Sequence, residues 1–416
     1  MNKDISIKNR NILISGASIA GPALAYWLSR YGFTPTVVEQ APALREGGYA
    51  IDIRGAARDA AARMGIMPEV RQATTRTRGM SFVNSANQPQ ASMSADLFGG
   101  EGLVSEFEIL RGDLAHILYA ATRDTTEYIF HDSITALSQS DEGVRVTFEQ
   151  SKPRTFDLVV GADGVHSNVR AQTFGDESQF IHHLGYYVSI FTTTNHLHLD
   201  RWELVYNMPG KLAAIYSTRQ NSAAKVMFYF AAPQLQYDRH DTGEQKKILA
   251  KVFDGEGWEV PRLLKAMDDT PDFYFDSISQ VHMESWSKGR VVLVGDAGYC
   301  PSPLSGQGTN LALVGAYVLA GELKAAAGDH RTAFARYEEE MRGYVEQNQK
   351  FGASAGKQFI PPTRFKIWFR NLNIRMLPYL PWKGLIAKAI QKQYAITLKD
   401  YEYLLDKNNQ IIDNGK

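Results

Sequence analysis

Residues 11–39, NILISGASIAGPALAYWLSRYGFTPTVVE, decide how this chain begins to fold. Asn11 to Ser15 reads as a buried strand, Ala20 to Tyr31 as a helix and Thr34 to Glu39 as a second strand, a βαβ unit that predicts a parallel sheet. Where the first strand gives way to the helix, Gly16-Ala17-Ser18-Ile19-Ala20-Gly21 has the spacing of a dinucleotide-binding turn. Gly16 allows the tight turn, the helix N-terminus offers free N–H groups and a partial positive charge to a pyrophosphate, and Gly21 lets helix and strand pack closely. Glu39, ending the second strand, is placed to accept hydrogen bonds from ribose hydroxyls. Ser18 stands where the usual fingerprint has its second glycine, so a phosphate must approach past a small Cβ. Taken alone, this stretch is also compatible with a tight turn in any α/β protein.

Working outward, two later strand-then-glycine segments, Phe156 to Gly164 and Arg290 to Gly298, are expected to join the same sheet, which makes the nucleotide unit discontinuous. The first contains LVVGADGVHS (158–167), followed by Arg170; the second contains VVLVGDA (291–297), followed by Pro301, Pro303, Gly306, Gly308 and Asn310. Each alone could be an ordinary loop start. Between them Gly185 to Thr194, Trp202 to Met208, Leu212 to Thr218 and Lys225 to Ala232 read as strands of a mostly antiparallel sheet. Long helices are expected over Asn310 to Ala327 and Arg331 to Gly352. The tail from Phe365 to Tyr401 is apolar, aromatic and basic. It predicts one or two amphipathic helices broken near Pro378 and Pro381, serving as an intramolecular lid or cap, with a membrane-surface contact as the other reading.

Composition narrows the possibilities. The 416 residues are 44% apolar, enough for a large core. Lys plus Arg and Asp plus Glu number 45 each, so no global field favours nucleic acid. The one cysteine, Cys300, cannot close an intrachain disulfide, and no Cys/His cluster has metal-ligand spacing. Lys3, Lys8 and Arg10 before the apolar run Ile12 to Leu28 superficially resemble a secretion signal, but Gly16, Ser18, Gly21 and Pro22 interrupt that run at turn spacing. No stretch is apolar enough for a membrane span. The expectation is a cytoplasmic, monomeric protein that binds no metal.

The order of the three turns resembles the class A flavin monooxygenases, the para-hydroxybenzoate hydroxylase-like family, over most of the chain before the tail. The resemblance implies an α/β fold: a Rossmann-like FAD-binding domain with a parallel sheet (1–75, 100–175 and 280–355), an inserted, mostly antiparallel-sheet substrate domain (76–99 and 176–279) and a C-terminal helical extension (356–416). It implies noncovalent FAD, with NADPH or NADH as reductant. Asp296 would bind the flavin-side ribose, and Pro303 to Asn310, including Gly306, Gly308 and Thr309, would lie against the isoalloxazine ring. Asp163 would serve both FAD and NAD(P)H. Arg111, in EILRGDL (108–114), looks like the family's FAD arginine, a charge suited to the pyrophosphate, although a helix-start salt bridge is an alternative. Gly16, Ser18, Ala20, Gly21, Glu39, Arg54 and Gly295 complete the expected cofactor contacts. The segments GGYAIDIRG (47–55) and DAGYCPSPLSGQG (296–308) look closest to the tetracycline-inactivating branch, the tetracycline destructases, whose C-terminal helical extension covers the substrate site.

The implied chemistry is reduction of FAD by NAD(P)H, addition of O₂ to give a flavin C4a-hydroperoxide, and attack on its distal oxygen by a phenol or enol carbon of a polycyclic or aromatic small molecule. A simple phenol hydroxylase is the runner-up and a non-oxygenating flavoprotein reductase a third reading. A flavin halogenase is disfavoured, because Gly257-Trp258-Glu259-Val260-Pro261 carries one tryptophan where that signature has two. No residue is assigned as general base. His182, His183, His196 and His198 are candidates that read equally as strand-edge histidines. Tyr187, Phe191, Tyr216, Phe228 and Tyr229 could face a flat ligand or fill the sheet core. Cys300 reads as a buried, inert thiol. Tyr299, where many relatives have histidine, removes one candidate for covalent flavin attachment.

Overall fold

The computed structural model describes residues 7–45, 47–98, 107–217, 221–379 and 396–404. Its first layer is a six-stranded sheet in the spatial order Ser287–Lys288, Val291–Leu293, Leu158–Gly161, Asn11–Ser15, Thr34–Glu39, Glu127–Phe130. All neighbours are parallel except the edge pair Ser287–Lys288 with Val291–Leu293. Parallel strands covered on both faces need uninterrupted apolar runs, and Ile12, Leu13, Ile14, Val159, Val291 and Val292 are all fully buried. Helix Ala20–Arg30 packs against helix Gly308–Ala325, with Trp27 set edge-on to Tyr317 at 4.9 Å between ring centres.

The single strand expected over Phe156 to Gly164 is two. Arg154–Phe156 closes a three-stranded antiparallel sheet with Val144–Phe148 and Ile134–Gln139, and Leu158–Gly161 alone enters the parallel sheet. The break falls at Asp157, whose backbone N–H donates to the Asn11 carbonyl while its carboxylate accepts from the Asn11 N–H.

A second, seven-stranded sheet runs Tyr274–Val281, Ile181–Thr194, Ala223–Ala231, Lys211–Ser217, Trp202–Met208, Gly79–Val83, Pro89–Ser94. It is antiparallel except where Trp202–Met208 meets Gly79–Val83. The strand expected from Gly185 begins four residues earlier, at Ile181, because the ladder passes through an irregularity between His183 and Tyr186 where Gly185 takes φ +84°. Alternation then sorts the side chains into two faces. Tyr187, Phe191, Phe228 and Phe230 point to one side, packing on Leu249 and Leu263 of helices Thr242–Val252 and Val260–Ala266 and on Phe253, just past the first. Val188, Ile190, Met227 and Tyr229 point to the other, toward Tyr49 and Leu304 of the nucleotide unit.

The two expected long helices are Gly308–Ala325 and His330–Phe359, the second beginning one residue earlier and ending seven residues later than expected. Helix Arg364–Met376 follows, then the short turn Leu377–Tyr379. The expected continuation through Leu380, Pro381 and Leu385 lies outside the described residues. Tyr401 returns to the core: its ring lies where a side chain on Gly321 would sit, and its hydroxyl donates to Glu322 at 2.7 Å. The fold class is therefore α/β with a parallel nucleotide-type sheet, a mostly antiparallel second sheet and C-terminal helical structure.

Candidate active site: three turns around one recess

Gly16 takes φ +107°, and a Cβ there would stand 2.5 Å from the Ala162 carbonyl oxygen. The first turn thus lies directly on the second, and only glycine permits it. At Gly21 a Cβ would overlap the Gly16 carbonyl oxygen, so the helix can leave the strand this tightly only without a side chain. A Cβ on Gly295 would sit 3.3 Å from Ala20 and 3.6 Å from Ala312, which brings the third turn onto the first helix and onto helix Gly308–Ala325. Residues 16–21, 161–164 and 295–308, far apart in sequence, therefore meet at one place.

Both helices that open there have free amino ends. Neither Ile19 nor Gln307, the residues preceding them, supplies a side-chain cap. Their first N–H groups and dipoles are available to an anion. Ser18 is partly exposed, so the Cβ that departs from the usual fingerprint is accommodated at the surface of the turn. Glu39 reaches back into the loop, accepting from the Ala17 N–H at 2.8 Å and the Ala41 N–H at 3.0 Å.

Asp163 has a different posture. Its carboxylate accepts from Ser15, Ser167 and the Val169 N–H, so it organises its own turn and the start of helix Asn168–Phe174. Asn310 is also committed: its carbonyl accepts from the Arg54 N–H at 3.0 Å and its amide donates to Gln307. Arg54 is buried and paired with Asp52 at 2.8 Å. Pro303 and Gly306 are exposed, while Gly308 and Thr309 are half-buried. Tyr299 turns away from the recess, its hydroxyl bonded to Tyr337 at 2.8 Å. Burial, and then the neighbouring Asp296, push the Cys300 thiol well above its usual range, an unreactive state.

Asp296 and Arg111 face the recess. Burial raises the Asp296 carboxyl while Arg111 opposes the shift, and a Cβ on Gly308 would lie 3.5 Å from Asp296 Oδ1. Burial works to lower Arg111, but Tyr49, Asp296, Tyr274 and Glu39 outweigh it and hold the guanidinium above its ordinary pKa. Arg111 begins helix Arg111–Ala120, its N–H donating to the Tyr49 carbonyl at 3.0 Å. Its charge is thus presented between the carboxylates at the first and third turns, a position suited to a pyrophosphate.

A cluster of three carboxyls, Asp52, Glu108 and Glu203, escaped the sequence reading. Burial, with Glu108 nearby, drives Glu203 up to about 8. Burial and the adjacent Asp52 drive Glu108 to about 7, although Thr75 and Thr77 hydrogen-bond it. Glu203, Glu108 and Asp52 are each partly solvent-accessible despite this desolvation. Glu203 pairs across the sheet with Tyr216, whose hydroxyl accepts from the Ala50 N–H at 2.9 Å. The signal available in the sequence was the alternation in Trp202–Met208, which puts Glu203 on the same face as buried Val205.

These protons set a pH dependence. Glu203 keeps its proton to about pH 8 when folded but to only about 4.5 when unfolded, so the folded state binds more protons throughout that window. Stability should fall as pH rises across it, by at most ~1.4 kcal/mol per pH unit, and level off above. Glu203→Gln should match the wild type below pH 4.5 and exceed it increasingly toward pH 8, read as the urea midpoint. A difference independent of pH would show that the proton is not held there.

Three of the four candidate histidines are engaged elsewhere, and His198 is exposed. His196 contacts Glu259 at 3.0 Å, His183 the Ala232 carbonyl, and His182 stands edge-on to His282. Among the described residues no group of three or more His, Cys, Asp or Glu could hold a metal.

Residues 9–351 match the family model described as "FAD binding domain". The chain belongs to this FAD-binding family. It is 44% identical over 353 residues to a flavin-dependent monooxygenase of Legionella longbeachae, covering 85% of this chain and 90% of that one. Among solved structures it is similar to the tetracycline destructase Tet(55), with a TM-score of 0.82 and 41% identity over 94% of this chain and 99% of that one. Tet(51) is similar at a TM-score of 0.81 and 39% identity, covering 94% and 98%. The FAD-complexed HpxO of Klebsiella pneumoniae, at 19% identity, shares the fold. FAD is thus the cofactor, and the protein is an FAD-dependent monooxygenase of this family. The recess fits the group on its own terms, with two uncapped helix starts, a glycine where the third turn meets helix Gly308–Ala325, and an opposed arginine.

Proposed function

We propose that this enzyme uses NADPH or NADH and O₂ to place one oxygen atom on an enol- or phenol-bearing polycyclic substrate, with tetracycline inactivation as the leading case and simple phenol hydroxylation as the alternative. When bound, FAD supplies the redox chemistry, taking a hydride equivalent from the nicotinamide and activating O₂. The protein supplies position, field and dryness. The N–H groups at Ser18 to Gly21 and the cation of Arg111 would hold the pyrophosphate, with Glu39 at the adenosine ribose and Asp296 on the ribityl side. The start of helix Gly308–Ala325, with Thr309, would stabilise negative charge on the ring.

The observation that carries the reading is the sheet face of Val188, Ile190, Met227 and Tyr229, which packs toward Tyr49 and Leu304 beside the third turn. A flat, largely apolar ligand between that face and the flavin would exclude water, which otherwise diverts the oxidising species. The protonated carboxyls of Glu203 and Glu108 would offer hydrogen-bond donors to a polyoxygenated ring edge near neutral pH. The parallel sheet with its flanking helices would form the FAD-binding domain, the seven-stranded sheet the substrate domain, and a cytoplasmic monomer is the working state. Among the described residues no helix is long and apolar enough to cross a membrane.

The test is oxidation of NADPH and NADH by purified enzyme with a panel of tetracyclines and phenols, with product masses. Stimulation by a tetracycline, dependence on O₂ and a product heavier by one oxygen are expected. NADPH oxidation that proceeds without O₂ when an artificial electron acceptor is supplied, and that yields no oxygenated product, would favour the reductase reading.

A further inference from the structure

The tail helix Arg364–Met376 has two unlike faces. Ile367, Arg370, Asn371 and Ile374 recur at helical spacing and face the protein: Ile374 is buried with Met80 and Phe82, and Arg370 lies 4.1 Å over the Phe82 ring and donates to Asn207. The opposite stripe, Phe365, Trp368, Phe369, Leu372 and Met376, points to solvent, with Phe365 69% and Trp368 57% exposed. Tyr379, just beyond, is 79% exposed. An intramolecular cap accounts for the first face and leaves the second without a partner among the described residues. At 100° per residue Lys366 flanks this stripe on one side and Arg364 and Arg375 on the other, all exposed.

The surrounding charge says what covers it. Along Arg364–Met376 the sequence holds four cations, Arg364, Lys366, Arg370 and Arg375, and no Asp or Glu. The chain as a whole is neutral, so the remainder carries the matching acidic excess. A second copy seated face to face would bring two cationic rims together, which disfavours a self-complementary dimer. An apolar stripe of aromatic, Leu and Met side chains rimmed by cations is complementary to an anionic lipid surface, where the stripe enters the acyl boundary and the cations reach headgroup phosphates.

We propose that this face docks the enzyme peripherally on an anionic phospholipid bilayer through the Phe365–Met376 stripe. The helix lies along the membrane and does not span it. The seven-stranded sheet, on whose Gly79–Ser94 edge the helix packs, then faces the bilayer.

The test is co-sedimentation of the FAD-loaded full chain with phosphatidylglycerol-rich and with pure phosphatidylcholine vesicles. Binding to the anionic vesicles about tenfold or more above the neutral ones, weakened by added salt, is expected. Trp368→Ser/Phe369→Ser should lose that binding by a similar factor while keeping its flavin content, melting temperature and activity in solution, because both side chains are exposed. Wild-type protein that stays in the supernatant with anionic vesicles, or a double variant that pellets equally well, would overturn the proposal. So would a concentration-dependent dimer in analytical ultracentrifugation that the double variant abolishes, since a second copy would then be the occupant.

Discussion

Gly16→Val should give a colourless protein. At φ +107° a β-branched residue is strained before any neighbour is considered. Its Cβ would also stand 2.5 Å from the Ala162 oxygen and 2.9 Å from the Ala162 carbonyl carbon, both backbone atoms that no rotamer change can move. Relief requires the first and second turns to part, which tilts helix Ala20–Arg30 and misaims its N–H groups. A cost on the order of 3 kcal/mol or more falls on the fold, and FAD affinity should drop by about a thousandfold or more, because the phosphate turn itself is displaced. Flavin absorbance per polypeptide and titration of apo-protein with FAD measure it. Gly343→Ala, where an added Cβ meets nothing within 4 Å, should be indistinguishable from wild type. A fully loaded yellow Gly16→Val protein would remove the turn from the cofactor site.

Arg111→Met should weaken FAD by about 10- to 100-fold while the fold persists, the usual cost of one lost charge-assisted contact. Methionine keeps the stem's packing and removes the cation. Without it Glu39 and Asp296 face the pyrophosphate unopposed, so two like charges repel the ligand that one cation had balanced. The dissociation constant should also depend less on salt than in the wild type. Arg111→Lys should recover part of the loss, because a point charge replaces a planar fork. An unchanged dissociation constant would leave Arg111 with a role only at the start of its own helix.

What could be read in advance was local. The unit at residues 11–39 carries its strand, turn and helix signals within one short window, and the turns at Gly161 and Gly295 announce themselves as apolar strand, glycine, aspartate. Strands 202–208, 211–217 and 223–231 were visible because apolar residues alternate with polar ones, or run together between turn residues, over a stretch long enough to show it. What escaped was assembled from distant pieces. Asp52, Glu108 and Glu203 sit on three strands drawn from separate parts of the chain, and nothing near any one of them signals the other two. Asp163 and Asn310 were legible as motif members, but their commitment to Ser167, Val169, Arg54 and Gln307 depends on loop paths that no periodicity encodes. The amphipathic pattern of the tail was evident, yet periodicity gives the spacing of a stripe and not its direction, and here the aromatic one turns outward.

Tyr401 and Lys399 close on Glu322, on the helix whose opposite end meets the third turn. The central strands of the parallel sheet are themselves contributed by residues near 12, 159 and 292. During translation, then, no nascent chain that stops short of residue 401 has that helix clamped. The nucleotide sheet is thus assembled from segments nearly three hundred residues apart, so its turns come together only after the chain between them has been made.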